Sequence, residues 1–213
     1  MQERAVIFLQ WPASLAILIW VPGNLGKLFA LLLLWAVTFG RLSRSEWVFG
    51  LAACLFFTAM NVASLRSGIF MFTAPDVLGM PAYELFMWGF YLLHTMRMLD
   101  GQPPHGRSTT AWALALSYSL AFATIPSASA LLAVTGGLLL LGLVLFHEPH
   151  DLAYVAYMIL LGSAFEYTGV RAGLWHYPGD PPGGVPFWFV TLWGGVGLFA
   201  RRLGLRFVVR NER

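Results

Sequence analysis

Apolar runs occupy nearly the whole chain, and only short polar breaks separate them. Hydrophobic residues make up 58% of the 213 residues and charged residues 11%, whereas a typical soluble domain carries about 25% charged residues. A chain of this size cannot bury so much apolar surface in a water-soluble core. The sequence therefore predicts an integral membrane protein.

About eight membrane-spanning helices are expected, because a run of ~20 apolar residues is long enough to cross a bilayer. Several runs are short and two pairs have tight connections, so seven spans are also compatible with the pattern. The expected fold class is an all-α, polytopic transmembrane helical bundle. The predicted spans are 5–20, 26–40, 47–64, 81–98, 110–125, 129–146, 152–169 and 186–201.

The sequence repeats itself at an offset of 105 residues without a gap. The offset matches the spans of the first half with those of the second, which predicts two tandem four-span repeats, 1–105 and 106–213, within one membrane domain. Because four is an even number, both repeats have the same orientation and a pseudo-twofold axis along the membrane normal relates them. The identical pairs are Arg66/Arg171, Gly68/Gly173, Gly79/Gly184, Pro81/Pro186, Trp88/Trp193, Gly89/Gly194, Leu93/Leu198 and Arg97/Arg202.

The distribution of Lys and Arg predicts the orientation in the membrane. Ten of the 13 basic residues fall on the side of the two termini, and three (Lys27, Arg66 and Arg171) fall on the other side. The positive-inside rule then places both termini in the cytoplasm and the two loops that begin at Arg66 and Arg171 outside. We expect the membrane to be a bacterial inner membrane. Clustering at span ends also explains the net charge of +3 without a nucleic-acid partner.

The two outer loops, 66–80 and 171–185, share a frame of glycine and proline. A glycine ends the third span of each repeat, where a left-handed cap is easiest for glycine, and a proline restarts a helix at its first turn. One interpretation is that each loop dips back into the protein and lines a cavity. The other is a plain hairpin with aromatic residues at the membrane surface.

Two carboxylates, Glu84 and Glu166, lie within predicted spans near the outer face. An ionisable group inside a span is costly, so it indicates a functional site. The offset matches Glu84 with Phe189 and Glu166 with Asn61, so each repeat holds one carboxylate at a different position. The alternative is a structural role, in which both glutamates pair with the arginines that end the third span of each repeat.

Two carboxylates in a dry pocket can take different protonation states. Burial favours a protonated Glu84, a general acid, whereas Glu166, held by Arg171 or His176, stays ionised. With aromatic rings, which stabilise cations by roughly 0.5–2 kcal/mol each, this set suits protonation of an alkene and needs no cofactor. The candidate catalytic residues are Glu84, Glu166 and His176, and the candidate substrate-binding residues are Asn61, Arg66, Phe70, Trp88, Arg171, Trp175, Tyr177 and Trp193.

Histidines near the start of the seventh span offer a competing metal site. His147, His150 and Asp151 have a spacing that places them on one helix face, where they could hold a metal ion. The simpler interpretation is an ordinary helix start, with Pro149 at an early position and Asp151 in the first turn. The single cysteine, Cys54, excludes an internal disulfide and a cysteine-pair metal site.

The first loop carries a motif with a family resemblance. The segment 70–72 is aromatic-x-aromatic, and 79–84 (Gly-Met-Pro-Ala-Tyr-Glu) resembles the Gly-x-Pro-x-Glu-Glu motif of the small integral-membrane lycopene cyclases and carotenoid hydratases, with Glu84 at the second Glu position. The second repeat keeps 175–177 and 184–186 but has Phe189 in place of that Glu. The same duplicated motif also resembles an uncharacterised bacterial multi-span family.

The resemblance implies a membrane enzyme that acts on a long apolar isoprenoid or carotenoid by acid-initiated cyclisation, hydration or isomerisation. A second hypothesis is a non-enzymatic membrane module that binds a lipid or serves as a subunit of a larger membrane complex. A third is a metal-dependent membrane hydrolase or oxygenase. In all three the bilayer is a partner, and the first two also involve an apolar lipid.

Overall fold

The computed structural model describes residues 2–99, 103–106 and 108–210. The fold is all-α apart from one pair of two-residue strands, β1 (Met71–Phe72) and β2 (Trp175–His176). A π-helix, Ala200–Leu205, joins the last two helices, and a short 3-10 turn covers Pro182–Gly184. The helices are α1 (Gln2–Trp20), α2 (Asn24–Phe39), α3 (Arg44–Arg66), α4 (Glu84–Leu99), α5 (Ser108–Thr124), α6 (Ala128–Phe146), α7 (Pro149–Arg171), α8 (Trp188–Phe199) and α9 (Arg206–Arg210).

Each of the eight predicted spans coincides with one of the helices α1 to α8, within a few residues at either end. Among the described residues, three helical stretches are long and apolar enough to cross a membrane: Arg44–Arg66, Ala128–Phe146 and Pro182–Val208. Two further apolar helices, Arg4–Trp20 and Asn24–Phe39, are shorter. The helices are where the sequence predicts them, and the count of eight spans stays a prediction.

The helix bounds also follow the 105-residue offset. Adding 105 to the bounds of α3 gives 149–171, the bounds of α7. Gly68 and Gly173, which follow these helices, have φ angles of 67° and 68°, in the left-handed region that glycine adopts easily. In the strand pair, Met71 lies opposite His176, which is 105 residues later in the chain. The tandem repeat itself stays a prediction.

The described residues form two compact units. The first contains residues 2–98 and 165–185, and the second contains the described parts of 99–164 and 186–210. This division by packing differs from the predicted division into 1–105 and 106–213, because the C-terminal turns of α7 and the loop after them pack in the first unit.

Within the first unit, polar contacts join the apolar helices. Ser43 and Glu46 form a capping box that starts α3, and Glu46 also accepts a hydrogen bond of 2.7 Å from Nε of Arg97 on α4. From the middle of α1, Gln10 hydrogen-bonds His94 at 2.9 Å. Gly89 on α4 lies so close to α3 that a Cβ there would be 2.9 Å from the Gly50 carbonyl oxygen. Only glycine allows this close approach.

The second unit has an ion-pair network at the corresponding end. Arg201 and Arg202, both on the π-helix, bind Asp151 at the start of α7. Both also bind Glu148, with N–O distances of 2.6 and 3.0 Å. The guanidinium of Arg202 lies 4.2 Å from the ring centroid of Phe146. These contacts fix the ends of α6, α7 and α8 to one another.

Candidate functional site

A buried polar centre in the first unit surrounds Glu166 on α7. One carboxylate oxygen of Glu166 accepts hydrogen bonds from Nε1 of Trp175 (3.1 Å) and from the hydroxyl of Tyr177 (2.8 Å). Side chains alternate along a strand, so His176 between them is exposed. Contrary to the sequence expectation, Glu166 is held by Trp175 and Tyr177, and His176 is on the other face of the strand.

Glu84 lies in the same centre, at the first position of α4. It is 8% exposed, and its charge is near enough to interact with that of Glu166. The rings of Tyr91 and Phe165 meet beside the two carboxylates, with centroids 4.8 Å apart. The structure therefore brings together the two glutamates that the sequence singled out.

The other predicted site residues are more dispersed. Phe70 packs near Tyr177, with ring centroids 6.0 Å apart, and Trp88 stacks on Phe57 at 4.1 Å. Trp193 belongs to the second unit, where it packs against Gly162. Asn61 is half-buried, and Arg66 and Arg171 are exposed. Among the described ion pairs neither arginine meets a glutamate, so the alternative of two structural Glu–Arg pairs is not observed.

The proposed metal ligands do not converge. His147 and His150 are exposed, whereas the carboxylate of Asp151 is fully buried in its ion pair with Arg201 and Arg202. In the part of the chain that the structure describes, no three His, Cys, Asp or Glu side chains are placed to hold a metal ion. His147 ends α6 in a left-handed conformation, as expected for the simpler interpretation of this segment as a helix boundary.

An apolar cavity of about 240 Å³ lies among α2, α3 and α4 of the first unit. The stacked rings of Trp35 and Phe90, whose centroids are 4.5 Å apart, belong to its wall. Three small residues of the wall, Gly50, Cys54 and Gly89, lie where α3 and α4 approach each other closely. The lining residues are Leu32, Trp35, Ala36, Phe39, Gly40, Leu42, Trp47, Gly50, Leu51, Cys54, Phe86, Gly89, Phe90 and Leu93.

The cavity has a polar border and an open side. Beside Phe39 and Gly40, the guanidinium of Arg97 donates hydrogen bonds to the carbonyl oxygens of Phe39 (2.7 Å) and Arg41 (3.1 Å), which fixes the turn between α2 and α3. The lining residues Trp47 and Leu51 are 56% and 51% exposed. The cavity is therefore a groove that opens on the lateral surface of the helices.

The sequence interpretation missed this cavity, although the offset of 105 residues carries a signal for it. The positions that match Gly50 and Cys54 in the second repeat hold Val155 and Ile159. These two larger side chains, with Leu139, pack against Gly194, where an added Cβ would lie 3.4, 3.2 and 2.9 Å from them respectively. At these two positions the first unit therefore has a glycine and a cysteine in the wall of the groove, where the second unit has two larger side chains in contact with Gly194.

Comparison with known proteins supports the fold. No family model and no curated protein matches the chain. The crystal structure of MvINS, an Insig homologue from Mycobacterium vanbaalenii, is similar, with a TM-score of 0.64, 18% identity, and coverage of 81% of this chain and 99% of MvINS. A cross-linked trimer of MvINS gives a TM-score of 0.65 at the same identity and coverage. The chain is an integral membrane protein with an Insig-like polytopic fold.

This result corrects the expected function. The solved structures that share the fold belong to an Insig homologue and not to a carotenoid-modifying enzyme. The hypothesis of an enzyme that cyclises, hydrates or isomerises an isoprenoid is therefore wrong, and the metal-dependent hydrolase or oxygenase loses Asp151 as a ligand. The resemblance to the lycopene cyclase superfamily is not tested by this comparison.

Proposed function

We propose that the protein is a non-enzymatic membrane module that binds a hydrocarbon chain of a lipid in the groove among α2, α3 and α4. The observation that carries the proposal is the apolar cavity of about 240 Å³ with its exposed side. Ligand sites are concave and mostly apolar. A groove lined by aliphatic and aromatic side chains, open to the bilayer, takes an acyl chain at no cost in desolvation of polar groups.

The buried glutamates belong to the architecture that supports this groove. Glu84 begins α4, which supplies one wall, and Glu166 fixes the outer loop through Trp175 and Tyr177. The hydrogen bonds that Glu166 accepts offset part of the cost of burying its carboxylate. In this proposal the candidate catalytic residues are positioning residues of a binding protein, and they perform no chemical step.

The tandem repeat is part of the proposal, and matching contacts within each unit support it. Three contacts in the first unit have counterparts 105 residues later in the second, although the partners are not always identical. The pairs are Glu46–Arg97 and Asp151–Arg202, Phe57–Trp88 and Gly162–Trp193, and Gly50–Gly89 and Val155–Gly194.

Orientation and assembly complete the proposal. The split of ten basic residues against three supports cytoplasmic termini, in a bacterial inner membrane; a cysteine at exposed Asp180 that reacts with an impermeant reagent only after permeabilisation of cells would reverse this orientation. The trimer of MvINS supports partner subunits that are further copies of this chain. A single-chain mass in lipid nanodiscs would contradict that assembly.

The groove can be tested with the native thiol, because Cys54 is the single cysteine of the chain and lines the cavity. Dioleoyl phospholipid is expected to slow the reaction of Cys54 with N-ethylmaleimide. The matched control is Cys54→Ala with Leu55→Cys, since Leu55 is 75% exposed on the same helix, and lipid should protect its thiol less.

A second variant fills the groove. Ala36→Leu introduces the residue found at the matching position 141 of the second repeat, and it should reduce the amount of lipid that co-purifies with the folded protein. Equal protection of the two thiols, together with unchanged lipid content in Ala36→Leu, would show that the groove takes no acyl chain.

A further inference from the structure

We propose that the lipid in the groove is an anionic glycerophospholipid, whose phosphate is bound by Arg41 and Arg44 while an acyl chain fills the cavity. This inference rests on the proposed function and names the ligand class of the same site. It depends on where these two arginines lie, on which other groups compete for them, and on a contrast with the second repeat.

The two arginines flank the polar end of the groove. Gly40 and Leu42, the neighbours of Arg41 in the chain, line the cavity. Arg44 begins α3, which reaches the cavity one turn later at Trp47. Both arginines are exposed, so their guanidinium groups are available to a headgroup whose chain enters between α2 and α3.

The nearest acidic side chain is already engaged. Both carboxylate oxygens of Glu46 accept hydrogen bonds from Arg97, at 2.7 and 2.8 Å, and one of them also accepts the backbone N–H of Ser43. Among the described ion pairs, none contains Arg41 or Arg44. The turn between α2 and α3 therefore carries two positive charges that no described carboxylate balances.

Topology alone gives a simpler explanation of basic residues at helix ends, and Arg66 and Arg171 are also exposed, but four other arginines near helix ends are used differently. Arg97, Arg201, Arg202 and Arg206 all donate to carboxylates or backbone carbonyl oxygens of the protein. Arg41 and Arg44 are instead exposed, so their N–H groups remain available to a ligand. The planar guanidinium group matches phosphate oxygens in geometry and charge.

The second repeat has neither the two arginines nor the small residues of the groove wall at the matching positions. The residues that match Arg41 and Arg44 are Phe146 and Pro149, and those that match Gly50 and Cys54 of the groove wall are Val155 and Ile159, which contact Gly194. A pair of arginines that served only membrane orientation would have no reason to accompany the cavity. A binding site for a lipid with an anionic headgroup needs both elements in the same repeat.

Lipid titration of the purified full chain in detergent, measured by native mass spectrometry, tests this inference. Dioleoyl-phosphatidylglycerol should bind more tightly than dioleoyl-phosphatidylcholine, and the preference should weaken as salt rises. One arginine near a membrane surface contributes about fivefold in affinity for anionic lipid. Arg41→Gln with Arg44→Gln should therefore lose about 25-fold for phosphatidylglycerol and little for phosphatidylcholine.

The control is Arg41→Lys with Arg44→Lys, which keeps the charge and should retain most of the preference. Equal affinity for the two lipids in the native protein would overturn the headgroup assignment and leave the groove proposal intact. If neither lipid bound, or if Ala36→Leu bound lipid as tightly as the native protein, the proposed function itself would be overturned. Competition by free glycerol phosphate at the concentration of the lipid would show an anion site that needs no acyl chain, and would also overturn the inference.

Discussion

The two units differ in how the side chains at matching positions, 105 residues apart, are packed. In the first, Gly50 and Cys54 belong to the wall of an apolar groove of about 240 Å³. In the second, Val155 belongs to a buried hydrophobic cluster, Ile159 packs against that cluster, and both contact Gly194. Helices with corresponding bounds thus line an open groove in one unit and a packed core in the other. The side chains at these two positions are smaller in the first unit, where α3 and α4 approach so closely that a Cβ at Gly89 would lie 2.9 Å from the Gly50 carbonyl oxygen.

The ion pairs at the helix ends show the same contrast and give the largest expected effect. Asp151 is fully buried, and its two arginine partners are 3% exposed. Asp151→Asn leaves two buried cations without full compensation, which costs about 3–5 kcal/mol in the free energy of unfolding. Thermal unfolding in detergent should show a large loss of stability.

The matched control is Glu46→Gln in the first unit, because Glu46 is 11% exposed and its partner Arg97 is 26% exposed. Water compensates part of the lost interaction there, so the cost should be only about 1–2 kcal/mol. Equal losses for Asp151→Asn and Glu46→Gln would contradict the view that the second unit is the more tightly buried scaffold.

Core substitutions test the contrast in volume directly. Val155 is 4% exposed and lies beside Gly194 of α8. Val155→Ala removes buried methyl groups and should therefore lower the free energy of unfolding by about 1–3 kcal/mol. In the first unit Ala36→Leu adds atoms to open space, and it should change the free energy of unfolding by less than about 1 kcal/mol. A cost for Ala36→Leu as large as that for Val155→Ala would mean that the groove is already closed.

The sequence predicted the helices well and the groove not at all, for physical reasons. Runs of apolar residues near the length of a bilayer leave helix as the structure that satisfies every backbone group. A cavity has no such signature, because Gly50 and Cys54 are ordinary in a membrane helix until they are compared with Val155 and Ile159. The comparison needs the repeat and the knowledge that these positions pack against α4 and α8.

The candidate site shows why residue types alone led to a wrong prediction of its function. A glutamate among aromatic residues suits carbocation chemistry, but the same residues also suit plain hydrogen bonding. Trp175, which hydrogen-bonds Glu166, also pairs with Phe72 of β1, a contact between segments that are far apart in the chain. Sequence spacing could not determine which face of the strand His176 would take.

The smallest expected effect is a pH dependence at the scaffold end of the second unit. Glu148 precedes α7 and is 21% exposed. Burial raises the pKa of its carboxyl group, but hydrogen bonds from Arg201 and the backbone N–H of His105, with the charges of Arg201 and Arg202, outweigh burial and lower the pKa below its ordinary value. A lowered pKa in the folded state means that folding favours the ionised carboxylate.

The resulting stability is fully present above the ordinary pKa of about 4.3 for glutamate and is lost as the pH falls through the lower value of the folded state. The melting temperature of the native protein should therefore decrease more steeply between about pH 5 and pH 3 than that of Glu148→Gln. Other carboxylates titrate in the same range, so the difference between the two curves is the relevant measurement. Because Glu148 is partly exposed, solvent screens the interaction and the difference should stay within about 1 kcal/mol. Parallel melting-temperature curves for the native protein and Glu148→Gln would mean that Asp151 alone holds Arg201 and Arg202. Each unit would then depend on a single carboxylate at its ion-pair site.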